Sequence, residues 1–154
     1  VLEEMVTTLE PMYKKTPYML KMDLAPDIVL ESYPGPLGQI ITNFVTNALA
    51  HAFEGRDHGT MILSTRMLNS GLVEITFSDD GIGIDQEHIA RVFDPFFTTK
   101  LGQGGSGLGM HIVYNLVTGV LGGKISLDSQ PGFGAKLTMI LPMVAPDGGD
   151  GMVI

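Results

Sequence analysis

The chain has 154 residues, 44% of them apolar and 17% charged, which suits one folded domain and excludes disorder for its bulk. A net charge of −8 argues against nucleic acid as the main partner, because a phosphate backbone calls for clustered Lys and Arg. The absence of Cys excludes disulfides and thiolate metal sites, and no apolar run reaches the roughly 18 residues of a membrane span.

Residues 1–15 read as a helix, with Leu2, Met5, Val6, Leu9, Met12 and Tyr13 on one side and Pro11 near its end. Tyr18–Leu24 and Ile28–Tyr33 read as two short strands around the turn Ala25-Pro26-Asp27. Next comes Pro34–Phe53 (PGPLGQIITNFVTNALAHAF). Its apolar residues Leu37, Ile40, Ile41, Phe44, Val45, Ala48, Leu49 and Ala52 line one helical face, and Pro36 suits the first turn. On the other face Gln39, Asn43, Asn47 and His51 repeat every fourth residue, and no charged residue occurs between Glu31 and Glu54. Two readings of this stripe stand side by side. It is either a solvated face or a polar site. The first would normally be rich in Lys and Glu. The second explains two Asn residues, which are poor helix formers. An amide oxygen is also a neutral, hard ligand suited to sharing a magnesium ion with phosphate oxygens and water.

Met61–Leu68 and Leu72–Ser78 predict a hairpin around Asn69-Ser70-Gly71. Asp85–Phe93 reads as a short helix that Asp85 could cap, residues 98–106 as loop, and Gly107–Leu121 as a helix carrying Leu108, Ile112, Val113, Leu116 and Val117. Lys124–Asp128 and Lys136–Leu141 read as a last pair of strands around Pro131-Gly132-Phe133-Gly134. Residues 145–154 read as a loose C-terminal tail, leaving 1–144 as the domain. Hairpins force antiparallel pairing, so the expected architecture is a two-layer α/β sandwich. Its sheet is mixed and mostly antiparallel, with helices on one face.

Two loops carry chemistry. The second hairpin strand runs into Asp79-Asp80-Gly81-Ile82-Gly83-Ile84, which is ordinary turn chemistry. That reading is favoured for the motif alone; the functional one is that Asp79 leaves an apolar strand and accepts a hydrogen bond from an exocyclic amine, which adenine offers. Guanine presents an acceptor there and would leave a buried charge unpaired. Gly81 and Gly83 would let the backbone approach the purine closely. The second loop, Gly102-Gln103-Gly104-Gly105-Ser106-Gly107-Leu108-Gly109, runs into a helix, an arrangement suited to anions. No strand leads directly into it and no G-x-x-x-x-G-K-[ST] occurs, which excludes a dinucleotide fold and a Walker-type loop. Between them lies Arg91-Val-Phe-Asp-Pro-Phe-Phe-Thr-Thr-Lys100. Phe93, Phe96 and Phe97 read as core anchors. Arg91 and Lys100 are cations able to reach phosphate, or surface charges.

Together these segments resemble the ATP-binding catalytic domain of sensor histidine kinases, of the Bergerat fold and the GHKL superfamily shared with gyrase, ninety-kilodalton heat-shock chaperones and MutL proteins. Asn43–Phe53 resembles the N box, Asp79–Ile84 the first glycine box, Val92–Lys100 the F box and Gly105–Val113 the second glycine box. The resemblance covers nearly the whole chain, with four motifs in order. It implies that Asn47 ligates magnesium with Asn43 one turn earlier, that Asp79 recognises adenine, and that Arg91 contacts phosphate. It implies nucleotide contacts for His51, Gly81, Gly83, Ile84 and Lys100, and for Gly105, Ser106, Gly107, Leu108 and Gly109. Two departures stand out: Ala50 where many members carry Lys, and Ala135 where Thr or Ser is usual.

Superfamily members that hydrolyse ATP as a clock resemble one another in a Glu four residues before the magnesium Asn, where it acts as general base. Here that position is Asn43, which cannot take a proton. The resemblance therefore implies transfer of the γ-phosphoryl of Mg-ATP to a histidine. None of His51, His58, His88 and His111 has H-E/D-x-x-x-P surroundings, so the acceptor is expected on a separate dimerisation domain, with a response-regulator receiver domain downstream. A cytoplasmic location without membrane contact is expected for this stretch, whether or not the full-length protein is anchored in a membrane. The alternative is a switch module such as an anti-sigma-factor serine kinase.

Overall fold

The computed structural model describes residues 2–53, 55–94, 109–146 and 150–154. In chain order these form α1 (Leu2–Tyr13), β1 (Tyr18–Leu24), β2 (Val29–Ser32) and α2 (Pro34–Asn47), then β3 (Gly59–Met67), β4 (Leu72–Asp79) and α3 (Gln86–Ile89). After them come α4 (Gly109–Asn115), β5 (Lys124–Ser129), β6 (Ala135–Pro142) and β7 (Asp150–Val153).

Five strands form the main sheet in the order β1-β3-β4-β6-β5. The β3–β4, β4–β6 and β5–β6 pairs are antiparallel, while β1 runs parallel to β3 because α2 crosses over between them. The sheet is thus mixed and mostly antiparallel, as expected. Side chains alternate across it. Met61, Leu63, Val73, Ile75, Phe77, Met139 and Leu141 are buried on one face, against Leu2, Val6 and Leu9 of α1, the apolar face of α2, and Val113, Val117 and Leu121. The opposite face carries polar pairs, among them Arg66–Glu74 at 3.1 Å. Among the described residues helices therefore cover one face only.

α2 sits between α1 and α4, and the Phe44 ring lies 5.5 Å from that of Phe77 on β4. Its far end is held by Phe53, which is fully buried and stacks on Tyr18 at 4.4 Å. Gly59 is small for a reason: a Cβ there would lie 2.4 Å from the Phe53 ring.

Four expectations need correction. The helix expected over Pro34–Phe53 is α-helical only to Asn47 and continues as a π-helical turn, Ala48–Ala52. A turn closed i→i+5 changes the phase of the stripe between Asn47 and His51. The helix expected over Gly107–Leu121 likewise becomes π-helical at Leu116–Val120, and its first two residues lie outside the described ones. The Asp85–Phe93 helix is one turn long. Asp85 does cap it, accepting from the His88 amide at 3.0 Å, but the chain then tightens into i→i+3 turns up to Asp94. Pro95 follows, and a residue before proline disfavours helix.

The fourth correction concerns the tail. β7 pairs antiparallel with β2, and on the other edge of β2 the Glu31 amide donates to Met143 O (2.7 Å) while Ala145 N donates to Glu31 O (2.7 Å). Leu30 between them is fully buried and Ile154 nearly so. Burial of Leu30 and Ile28 against both flanks supplies the order that the Gly-rich sequence of 145–154 does not announce.

Candidate functional site

The polar stripe of α2 divides. Gln39 is exposed, while Asn43, Asn47 and His51 are half-buried. Asn43 Nδ2 donates to Gly109 O at 3.5 Å, the first residue of α4. Gly109 also lies against Asn47, since a Cβ on it would sit 3.7 Å from both Asn47 Oδ1 and Nδ2. The stripe thus faces the start of α4 rather than open water along its whole length.

Asp79 ends β4 at a half-buried position, and Gly81 N donates to its Oδ1 at 2.9 Å. Burial pushes its carboxyl above the ordinary carboxylate value and the neighbouring Asp80 adds to this, against the Gly81 and Ala135 amides and the Arg56 charge, which act the other way. Asp80 has a different task. Its Oδ1 accepts from Thr60 N and its carbonyl from Arg56 Nη1, both at 2.8 Å, so this exposed carboxylate ties the loop to β3. Of two adjacent acids, one braces the loop and the other keeps acceptor capacity inward.

The loop after Asp79 is wedged between α2 and the β5–β6 turn. Ile82 N donates to Ala52 O at 2.7 Å, and Gly132 N donates to Ile82 O at 2.6 Å. Cβ atoms on Gly81 and Gly83 would lie 2.1 Å from the carbonyl oxygens of Ala52 and Gln130, and Gly83 has φ +77°. Both glycines therefore have a packing duty that holds without any ligand. Gly134 is required in the same way, since its Cβ would lie 2.0 Å from Asp79 O. Ile84 N donates to Ser129 Oγ at 2.8 Å, and that hydroxyl donates to Gly134 O at 2.6 Å. Sequence reasoning missed Ser129, Ala52 and Gln130. No spacing rule marks them, because their partners come from elements far off in the chain.

A cavity of about 440 Å³ opens beside the loop, lined among others by Asp79, Ile89, Leu127, Ser129 and Ala135. Asn47 is not in that lining; the Ala52–Ile82 hydrogen bond joins its helix to the loop that follows Asp79. Arg91 is exposed, with Nε 3.8 Å from Asp94 Oδ2. His51 lies on the π-helical turn. Lys100, Gly105, Ser106, Gly107 and Leu108 lie outside the described residues. Among the described residues no group of three His, Cys, Asp or Glu could cage a metal ion. A magnesium ion shared between the Asn47 amide oxygen, water and phosphate oxygens fits the donor set present.

Residues 33–145 match the family model for histidine kinase-, DNA gyrase B-, and HSP90-like ATPases. The sensor histidine kinase RcsC of Escherichia coli is 33% identical over 126 residues, covering 78% of this chain and 13% of that protein. ZraS of Klebsiella oxytoca, also a sensor histidine kinase, is 36% identical over 114 residues, 74% of this chain and 23% of that protein. The chain therefore spans less than a quarter of the length of these relatives. Among solved structures, the nucleotide-free catalytic domain of histidine kinase ThkA superposes with TM-score 0.80 at 24% identity, covering 92% of this chain and 90% of that one. Full-length ShkA in complex with AMPPNP gives TM-score 0.76 at 26% identity, covering 92% and 29%.

Proposed function

The chain belongs to the histidine kinase-, DNA gyrase B-, and HSP90-like ATPase family, and from that premise we propose that it binds Mg-ATP and phosphorylates a histidine on a separate dimerisation domain. The observation that carries this reading is the Ala52–Ile82 hydrogen bond, which joins the amide-bearing helix to the Asp79 loop. The base end and the phosphate end of one nucleotide then have partners on two elements tied to each other.

Asp79 accepts the exocyclic amine of adenine at the cavity wall, and its charge selects against guanine. Asn47 would hold the magnesium ion of the nucleotide through its amide oxygen. When bound, that ion neutralises charge on the phosphate oxygens. Asn43 has no basic lone pair for a water proton, so hydrolysis lacks a general base. A neutral imidazole nitrogen needs none: its lone pair forms the bond to the γ-phosphorus as the bond to the ADP oxygen breaks. Catalysis is then positioning and charge neutralisation. Arg91 and Lys100 are the proposed phosphate-contacting cations. His51, Ile84 and the glycines from Gly105 to Gly109, with Ser106 and Leu108 among them, are the proposed contacts along the nucleotide.

RcsC and ZraS are sensor histidine kinases, which favours a histidine acceptor over the serine acceptor of an anti-sigma switch module. A response-regulator receiver domain is the proposed final acceptor. No helix among the described residues is long and apolar enough to cross a membrane, and dependence on ATP favours a cytoplasmic location. The test is transfer from γ-labelled ATP to a dimerisation domain supplied in trans. An acid-labile label supports phosphohistidine, and an acid-stable one overturns it in favour of serine.

A further inference from the structure

His111 lies on α4 and reaches two partners. Its Nδ1 is 3.3 Å from Phe93 O, eighteen residues back, and its Nε2 is 3.2 Å from Asn115 Nδ2, one turn on. A carbonyl oxygen only accepts, so Nδ1 carries the proton. Nε2 is then the lone pair that accepts from the Asn115 amide. One neutral tautomer satisfies both partners at once. The contact is reinforced one turn further along, where the Tyr114 ring lies 5.5 Å from that of Phe93.

The opposite side of the same turn is held by α2: Gly109 O accepts from Asn43 Nδ2, and Gly109 lies against the Asn47 amide. The first turn of α4 is thus gripped between the amides of α2 and the backbone that follows α3. We propose that His111 is a positioning residue that sets the distance between α4 and the Asn43–Asn47 amides, and so tunes affinity at the triphosphate end of the site. This rests on the Mg-ATP reading. It separates His111 from the base end, where Asp79 accepts from the Gly81 amide and the loop after it is held by Thr60 and Ser129 on other elements.

The test measures binding of Mg-ATP and of adenosine by NMR titration to wild type, His111→Ala and His111→Asn, with the unfolding midpoint of each. The loss of one or two hydrogen bonds predicts a fall of about five- to tenfold in Mg-ATP affinity for His111→Ala, with adenosine affinity unchanged. His111→Asn, whose Nδ2 can donate to Phe93 O as the ring Nδ1 does, should recover most of it. Imidazole ¹⁵N shifts of the wild type should show the proton on Nδ1, and Asn115→Ala should relax that preference. Mg-ATP affinity unchanged in His111→Ala, equal weakening of adenosine and Mg-ATP, or a proton on Nε2 would each overturn the positioning role alone. A wild type that binds neither ligand would overturn the nucleotide reading and this inference with it.

Discussion

The carbonyl oxygen of Ala52 accepts the amide of Ile82 at 2.7 Å, and Gly81 lies directly over that oxygen. A carbonyl near the end of a helix has no partner within it. Here the loop after β4 supplies one, so the π-helical turn that follows α2 is tied to the Asp79 loop. A Cβ at Gly81 would stand 2.1 Å from Ala52 O, and backbone cannot yield as a side-chain tip can. Gly81→Ala should therefore cost about 3 kcal/mol in urea unfolding, at the upper end for overpacking. It should also lower ATP affinity. Gly35→Ala, with nothing within 4 Å of the added carbon, should be neutral or stabilising by up to about 1 kcal/mol.

Asp79 makes opposite demands on stability and binding. Burial raises its folded-state pKa, so the native protein binds the proton more tightly than the unfolded chain does. Its contribution to stability is complete below the unfolded pKa and is lost as pH rises through the raised folded value. Once ionised, the half-buried carboxylate is a liability. Asp79→Asn should raise the melting temperature at pH 7 and leave it unchanged at low pH, where both proteins are neutral at this position. ATP affinity of the wild type should fall as pH drops below the raised pKa, because a protonated carboxyl accepts poorly from the adenine amine. Differential scanning calorimetry and binding across pH test the two halves separately.

Asn47 is proposed for the metal rather than for the base. Asn47→Ala should reduce ATP affinity in magnesium buffer to the value the wild type shows with a chelator present, and should leave adenosine binding alone. Titrations with and without magnesium provide the comparison. A variant that retains its full magnesium response would reassign the ion to other ligands.

The C-terminal strand β7 pairs with β2, and none of the proposed nucleotide contacts lies on it. Leu30, fully buried with β7 on one edge of its strand and residues 143–145 on the other, should cost about 2–5 kcal/mol when changed to Ala. ATP affinity, measured below the unfolding transition, should not change. Denaturant titration followed by circular dichroism suits a chain without Trp.

What the sequence disclosed follows from where the information lies. The β3–β4 hairpin was legible because Met61, Leu63, Val73, Ile75 and Phe77 alternate around a turn whose Gly71 takes φ +74°. The half-burial of Asn43, Asn47 and Asp79 was foreshadowed because polar groups in apolar settings are chemically unusual. The parallel pairing of β1 with β3 was not, because nothing in Tyr18–Leu24 names its neighbour. The π-helical turn at Ala48–Ala52 has no local signal either. Its Ala52 carbonyl is satisfied by Ile82, thirty residues on. β7 was missed for the same reason: Asp150–Val153 is short and preceded in sequence by two glycines, and its order comes from β2.

The most direct test of the central claim is isothermal calorimetry with ATP and GTP, with and without magnesium, on the wild type and on Asp79→Ala. The account predicts magnesium-dependent binding of ATP, exclusion of GTP, and about a ten- to hundredfold loss of ATP affinity in the variant. Equal binding of both purines, or an Asp79→Ala protein that binds ATP as the wild type does, would contradict it.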